Sequence, residues 1–288
     1  YSGSCSYSQS QRNRNLTWPC PWRERLQPLM EFECYQYVLI ALVFIWSGFV
    51  RSGLGFGGAL FTIPFLLLIH NDPLYFLPII SLHLLFFAAL TLVHSHYTEA
   101  HRVGQPDVDA PRVNWPFVRF ALAIMILPKI AGVIGLIVLP VELMNTIIFL
   151  MIAAYSVTYI VGRPLKSNSR WLDVIFLVIG AYVSGTSLIG GPLVIAVALR
   201  HIKMSEFRHT LFVLWVVLVS IKLIAFAWAG ISLNLLATLW LLPFAGIGHL
   251  IGQRLHEQLL RQDTTRFYRI IGWILLMTAG AGLYQVSL

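Results

Sequence analysis

Ten apolar segments, at about 35–50, 56–70, 74–93, 117–139, 142–161, 171–189, 191–199, 210–229, 234–252 and 270–286, leave this chain few folds to choose from. Several have the roughly 20 residues that a helix needs to cross the hydrocarbon core. None shows the alternation of polar and apolar residues that marks a membrane barrel. Composition agrees, since 58% of the 288 residues are hydrophobic and 11% charged, a balance that belongs in a bilayer rather than in water. The expected fold is therefore all-α: a polytopic helical membrane bundle whose main surroundings are lipid.

A net charge of +8 would point a soluble protein toward nucleic acid. In a membrane chain the placement of that charge matters more, and no nucleic-acid partner is expected. Arg51, then Arg102, Arg112 and Arg119, then Arg163, Lys166 and Arg170, then Arg200, Lys203 and Arg208, then Arg254, Arg261, Arg266 and Arg269 fall in alternate connections. The intervening connections, with Asp72, Glu142 and the turn at 229–234, hold no lysine or arginine. Because basic residues in short loops stay cytoplasmic, the connection at 162–170 is assigned inside, and the mature N- and C-termini outside. Arg12, Arg14, Arg23 and Arg25 conflict with an outside N-terminus. Residues 1–29 also begin without methionine and precede Met30, so this polar segment is read as a candidate for sequence upstream of the native start. Cys5, Cys20 and Cys34 show no metal-ligand spacing and are read as incidental.

Five segments precede the basic linker at 163–170 and five follow it. Repeats of odd number must enter the membrane with opposite orientations, so 30–162 and 171–288 are expected to be two inverted five-segment repeats. Each carries a short broken or re-entrant helix at a glycine-rich break: "GLGFGGALF" at 53–61 and "GTSLIGGPLV" at 185–194, with Gly57 and Gly58 aligned to Gly190 and Gly191. The segment at 191–199 is too short to span. Non-helical backbone at such depth is tolerated only where protein or a cavity covers it. Farther on, Gly248 and Gly252, like Ala131 and Gly135, are read as small residues that let helices pack closely.

Two short helices opening at such breaks would bring their N-terminal N–H groups together near the midplane, and those groups form a ready anion site. The expected substrate-binding residues are Gly55, Gly57, Gly58, Gly190 and Gly191 through their backbone, and Ser52, Thr186 and Ser187 through their hydroxyls. Lys129 and Lys222 lie inside segments, at positions that cost about 2.5–3.5 kcal/mol to insert. Lys129 either faces the site or offsets the kink at Pro128. Lys222, with no acidic residue in any segment core to pair with, is read as the counter-charge to a small anionic substrate. His83 is read as a hydrogen-bonded structural histidine, with a proton relay as the alternative, and His94, His96 and His101 resemble no zinc site. No metal or cofactor is expected. The absence of a Walker A sequence and of a helix-borne H-E-x-x-H argues against an ATP-driven pump or an intramembrane hydrolase. Nothing in the sequence sets an oligomeric state.

The pair "SGLGFGGALFTIPFLLL" and "SGTSLIGGPLVIAVALRHIKMSEFRHT", with the later "GIGHLIGQRL" and "RIIGWILLMTAGAGL", resembles the TauE/SafE sulfite exporter family, also called the toluene sulfonate uptake permease family. The resemblance covers roughly residues 35–286. It implies a bacterial inner-membrane secondary transporter of small sulfur-containing anions such as sulfite or organosulfonates, not an enzyme. The first signature falls on Gly55, Gly57, Gly58 and Pro64, the second on Gly190, Gly191 and Pro192. This chain departs from the pattern at "SLIGG", where a richer glycine run is common, and at Val197, which stands opposite Pro64. The competing reading is a membrane-embedded assembly protein whose glycines only pack helices.

Overall fold

A computed structural model describes residues 32–54, 58–101, 113–162, 165–261 and 264–287. The expectations for residues 1–29 and for Gly55 and Gly57 fall outside these. Among the described residues there are ten helices and no strand: α1 Cys34–Leu54, α2 Gly58–Ile69, α3 Pro73–His101, α4 Trp115–Val138, α5 Val141–Val161, α6 Arg170–Ser187, α7 Gly191–His201, α8 Met204–Trp228, α9 Leu235–Arg261 and α10 Thr264–Ser287. Each matches one apolar segment of the sequence. Seven of them, all but α2, α6 and α7, are long and apolar enough to cross a membrane. The chain is an all-helical, multi-pass membrane protein.

Polar side chains fix where the helices start and which ends lie together. Asp72 caps α3 by accepting from the N–H groups of Leu74 and Tyr75 (2.9 and 3.2 Å), and Asn114 caps α4 through Phe117 (3.0 Å). At one end of the bundle Gln36, near the start of α1, donates to the carbonyl of Ile69 at the end of α2 (3.2 Å). There too, Asn145 of α5 donates to Asn71 (2.5 Å), and Asn234, just before α9, donates to the Tyr75 carbonyl (3.2 Å). At the other end Asp173, in the first turn of α6, accepts from Arg200 and pairs with His201 at the end of α7 (2.8 Å each). Asn114 donates there to Glu206 in the first turn of α8 (2.9 Å). The 25 residues of α8, about 37 Å of helix at 1.5 Å per residue, separate these two ends.

Two V-shaped hairpins follow from those contacts. The hairpin of α1 and α2 has its open ends beside Gln36 and Ile69. That of α6 and α7 has its open ends beside Asp173 and His201, at the opposite end of the bundle. Residues 58–64 of α2 and 193–198 of α7 are buried on every side. A helix that is apolar all round and shielded from lipid can stop at membrane depth, because protein covers its ends.

The remaining helices clasp the hairpins. α1 packs on α9 and α6 on α4, while α3 packs on α8 and α5 on α10. Exchanging the first five helices with the last five, in order, turns this set of contacts into itself. At the α1–α9 crossing the backbones touch: a Cβ on Gly48 would lie 2.1 Å from the Ala245 carbonyl oxygen, and one on Gly248 1.9 Å from that of Ile45. The same closeness recurs at the α4–α6 crossing between Gly132 and Gly185. Gly248 is thus the packing residue that the sequence suggested. In α4, Gly132 rather than Gly135 takes that place, since Gly135 makes only ordinary contacts with the Tyr182 hydroxyl and Leu139.

Candidate functional site

The tips of the two hairpins meet around one cavity of about 50 Å³. Room for one water is about 10–15 Å³ on this measure, so the space suits about four waters or one small oxyanion. Gly58, Ala59 and Leu60 line it from the first turn of α2, and Leu188, Ile189 and Gly191 from the second break. Both short helices therefore present their N-terminal turns to the same space. In α7 the first bond back into the helix is from the Val194 N–H to the Gly190 carbonyl (3.4 Å), which leaves the N–H groups of Gly191 and Leu193 as orphan donors of the first turn. A helix start carries roughly half a positive charge.

Arg51 supplies the full charge. The loop-charge reading placed it in a cytoplasmic connection, but it stands in the last turn of α1 and its guanidinium turns inward to line the cavity. The guanidinium carbon lies 4.4 Å from the centre of the Phe87 ring, a cation–π contact. Its Nε and Nη2 are buried and have no hydrogen-bond partner. No carboxylate is among the described residues that line the cavity. Leaving buried charged donors unmatched costs several kcal/mol, and an anion in the cavity would remove that cost.

The two lysines reach a different target. Lys129 and Lys222 are fully buried, and both point at the last turn of α6. Lys129 Nζ donates to the carbonyl and the hydroxyl of Ser184 (2.8 Å each). Lys222 Nζ donates to the Thr186 carbonyl (3.2 Å) and sits 5.3 Å from the centre of the Phe226 ring. Neither is among the lining residues, although Ser184 is. A helix C-terminus carries partial negative charge. These two cations offset it where it would otherwise face an anion.

The hydroxyls expected at the breaks are engaged elsewhere. Those of Thr186 and Ser187 both donate to the Val183 carbonyl (2.9 Å each), and Ser52 is hydrogen-bonded to Nδ1 of His249. His83 is buried with Nδ1 against the Ile79 carbonyl (2.8 Å). At the second break, Gly190 is required by close approach: a Cβ there would lie 1.8 Å from the Gly180 carbonyl oxygen. Its neighbour Gly191 meets nothing nearer than 3.9 Å. Leu188 closes α6 in the left-handed region (φ 62°), with its N–H on the Ser184 carbonyl (3.1 Å). Glycine is usual at such a cap.

Comparison with known protein families matches residues 40–282 to the model described as sulfite exporter TauE/SafE. No curated protein and no solved structure matches the chain.

Proposed function

This chain belongs to the TauE/SafE sulfite exporter family, and on that premise we propose that it is a secondary carrier that exports a small sulfur-containing oxyanion, sulfite or an organosulfonate. Arg51 carries the reading: a buried guanidinium with two unpartnered nitrogens, in a cavity closed by two helix starts. In this proposal the oxyanion accepts hydrogen bonds from Arg51 and from the first-turn N–H groups of α2 and α7, and Gly55 and Gly57, outside the described residues, remain proposed members of the site. Gly190 sets how close α7 comes to α6. Lys129, Lys222, Thr186 and Ser187 act through the end of α6 rather than by touching the anion, and Ser52 acts through His249.

Two inverted repeats, each led by a re-entrant hairpin, form the moving parts. Supporting this are the opposite placement of the hairpins' open ends and the exchange symmetry of the helix contacts. Rocking of one half against the other would expose the cavity first to one face and then to the other, in the manner of alternating access. Residence in a bacterial inner membrane, with both mature termini outside, goes with this reading and with the loop charges. Close-packing glycines at Gly48 and Gly248 would suit an assembly protein equally well, but such a protein has no use for an unpaired Arg51.

The test is a proteoliposome flux screen over sulfite, thiosulfate, sulfoacetate and sulfate, with the wild-type chain and Arg51→Gln. Wild-type flux for at least one of these anions, lost in R51Q while insertion and monodispersity persist, is the expected outcome. Equal flux in both proteins removes Arg51 from the site. No flux from the wild type for any sulfur oxyanion, with a stable protein complex instead, establishes the assembly reading.

A further inference from the structure

A second, narrower cavity of about 10 Å³ adjoins the first and shares Arg51, Ala88 and Phe212 with it as walls. Two helices give its direction. α3 lines the first cavity with Leu84 and Ala88, and the second with Phe87 and Thr91. α8 lines the first with Val219 and Trp215, and the second with Phe212 and Arg208. α3 runs away from the end that holds Tyr75 and Asn234, whereas α8 starts at the end that holds Glu206 and Asn114. Both displacements therefore carry the second cavity toward the Asp173 end, one to three helical turns along α8 at about 5.4 Å per turn.

The chemistry of this neck matches that of the central cavity. The Nε of Arg208 is buried without a hydrogen-bond partner, and its guanidinium carbon lies 5.6 Å from the centre of the Phe212 ring. Arg51 is the other wall, with His249 as a third basic group. No carboxylate is among the described residues that line the neck. The acid nearest in sequence, Glu206, already accepts from Asn114 (2.9 Å). Two guanidinium groups line this space with no carboxylate among the described residues beside them, so an anion entering it would meet both. At about 10 Å³ the neck holds roughly one water. That is too little to hold an oxyanion at rest.

We propose that Arg208, with Arg51 as the shared partner, forms a transit subsite that hands the oxyanion between the central cavity and the Asp173 end of the bundle. This rests on the carrier reading above. Arg51 faces both cavities, so one guanidinium can hold the anion while Arg208 takes over the oxygens that the first-turn N–H groups release. Removing Arg208 should then slow passage and spare occupancy of the central site.

The experiment measures sulfite binding to the purified full-length chain by calorimetry and the initial rate of sulfite flux in proteoliposomes. For Arg208→Gln we expect binding within about threefold of wild type and flux lowered about tenfold or more, the loss of one charged hydrogen bond in the rate-limiting passage. Arg208→Lys should lie between the two. Thr91→Phe narrows the neck without removing charge and should also lower flux at unchanged binding, which keeps the proposal open to refutation if R208Q does not insert. Full-rate flux in both R208Q and T91F overturns the subsite and leaves the carrier reading intact. Loss of binding in R208Q as complete as in R51Q also overturns it, because Arg208 would then belong to the central site. A wild-type chain that neither binds nor moves sulfite overturns the transit subsite for this anion, and the flux screen over the other three oxyanions then decides the carrier reading separately.

Discussion

The two hairpins bring a cation to the end of their first helix by different means. In the first, the cation is part of the helix: Arg51 stands in the last turn of α1 and lines the cavity directly. In the second, the position aligned with Arg51 is Ser184, and its carbonyl and hydroxyl are held by Lys129 from α4, while Lys222 from α8 holds Thr186. The first hairpin thus offers its charge to the cavity, and the second spends two charges on neutralising its own helix end. Both arrangements remove negative potential from the tip, but the first leaves two buried nitrogens, Nε and Nη2 of Arg51, without any hydrogen-bond partner, while each lysine Nζ has at least one. One shape can therefore be kept in both halves of such a chain while the guanidinium that faces the cavity comes from one half alone.

Backbone geometry at the breaks differs as well, and substitutions there test how far the likeness goes. The largest effect is expected at Gly190, whose added Cβ would collide with the Gly180 carbonyl. Gly190→Val should abolish flux and lower the yield of monodisperse protein, because a backbone contact cannot yield as a side chain can. Gly191→Ala, with nothing closer than 3.9 Å, should insert and fold normally. If both variants behave alike, the break is not held by its contact with α6.

Lys129 should come next. Lys129→Met removes an ammonium from inside α4, which favours insertion by about 2.5–3.5 kcal/mol, yet it exposes the end of α6 to the anion. Expression should hold, and sulfite should bind about tenfold more weakly, a loss of about 1.4 kcal/mol. Unchanged affinity would mean that the charge at Ser184 serves the fold alone.

The smallest effect is expected at Leu188, which aligns with Gly55 of the first break. A left-handed conformation costs a side-chain-bearing residue about 1–2 kcal/mol, while glycine costs about 0.5–1 kcal/mol more in chain entropy. Leu188→Gly relieves the backbone but deletes a buried core side chain, so it should lower the melting midpoint less than the same change at Leu193. Leu193→Gly, in the first turn of α7, deletes a buried side chain with no such relief and should lower the midpoint clearly. Equal losses in the two would show that Leu188 is held by packing and not by its backbone conformation.

Much of this architecture was legible because membrane depth writes plainly in sequence. Among the described residues each of the ten apolar segments holds a helix, and Gly58 and Gly191, aligned through the two breaks, each begin a short buried one. Lys129 and Lys222 were legible as buried charges, but not their target, since the carbonyls of Ser184 and Thr186 have no sequence signature. Arg51 was missed for a physical reason. Loop counting treats every arginine near a segment end as a marker of sidedness, and a side chain in the last turn of a helix can equally point back into protein. Its following glycines were the available signal, since they mark a break in the segment, and an arginine just before a break can turn into the protein instead of toward a loop. The partners of Ser52, Thr186 and Ser187, His249 and the Val183 carbonyl, were not legible either, because hydroxyls in a helix readily bond their own backbone or a neighbour.

The central claim is that an oxyanion sits between Arg51 and the start of α7. Anomalous diffraction from crystals grown with selenite, the selenium counterpart of sulfite, tests it most directly. A selenium peak in the central cavity, with oxygens about 2.8 Å from Arg51 Nε or Nη2 and beside the Gly191 N–H, is the predicted result. A peak at Lys222, or selenite bound elsewhere with the central cavity left empty, would contradict it.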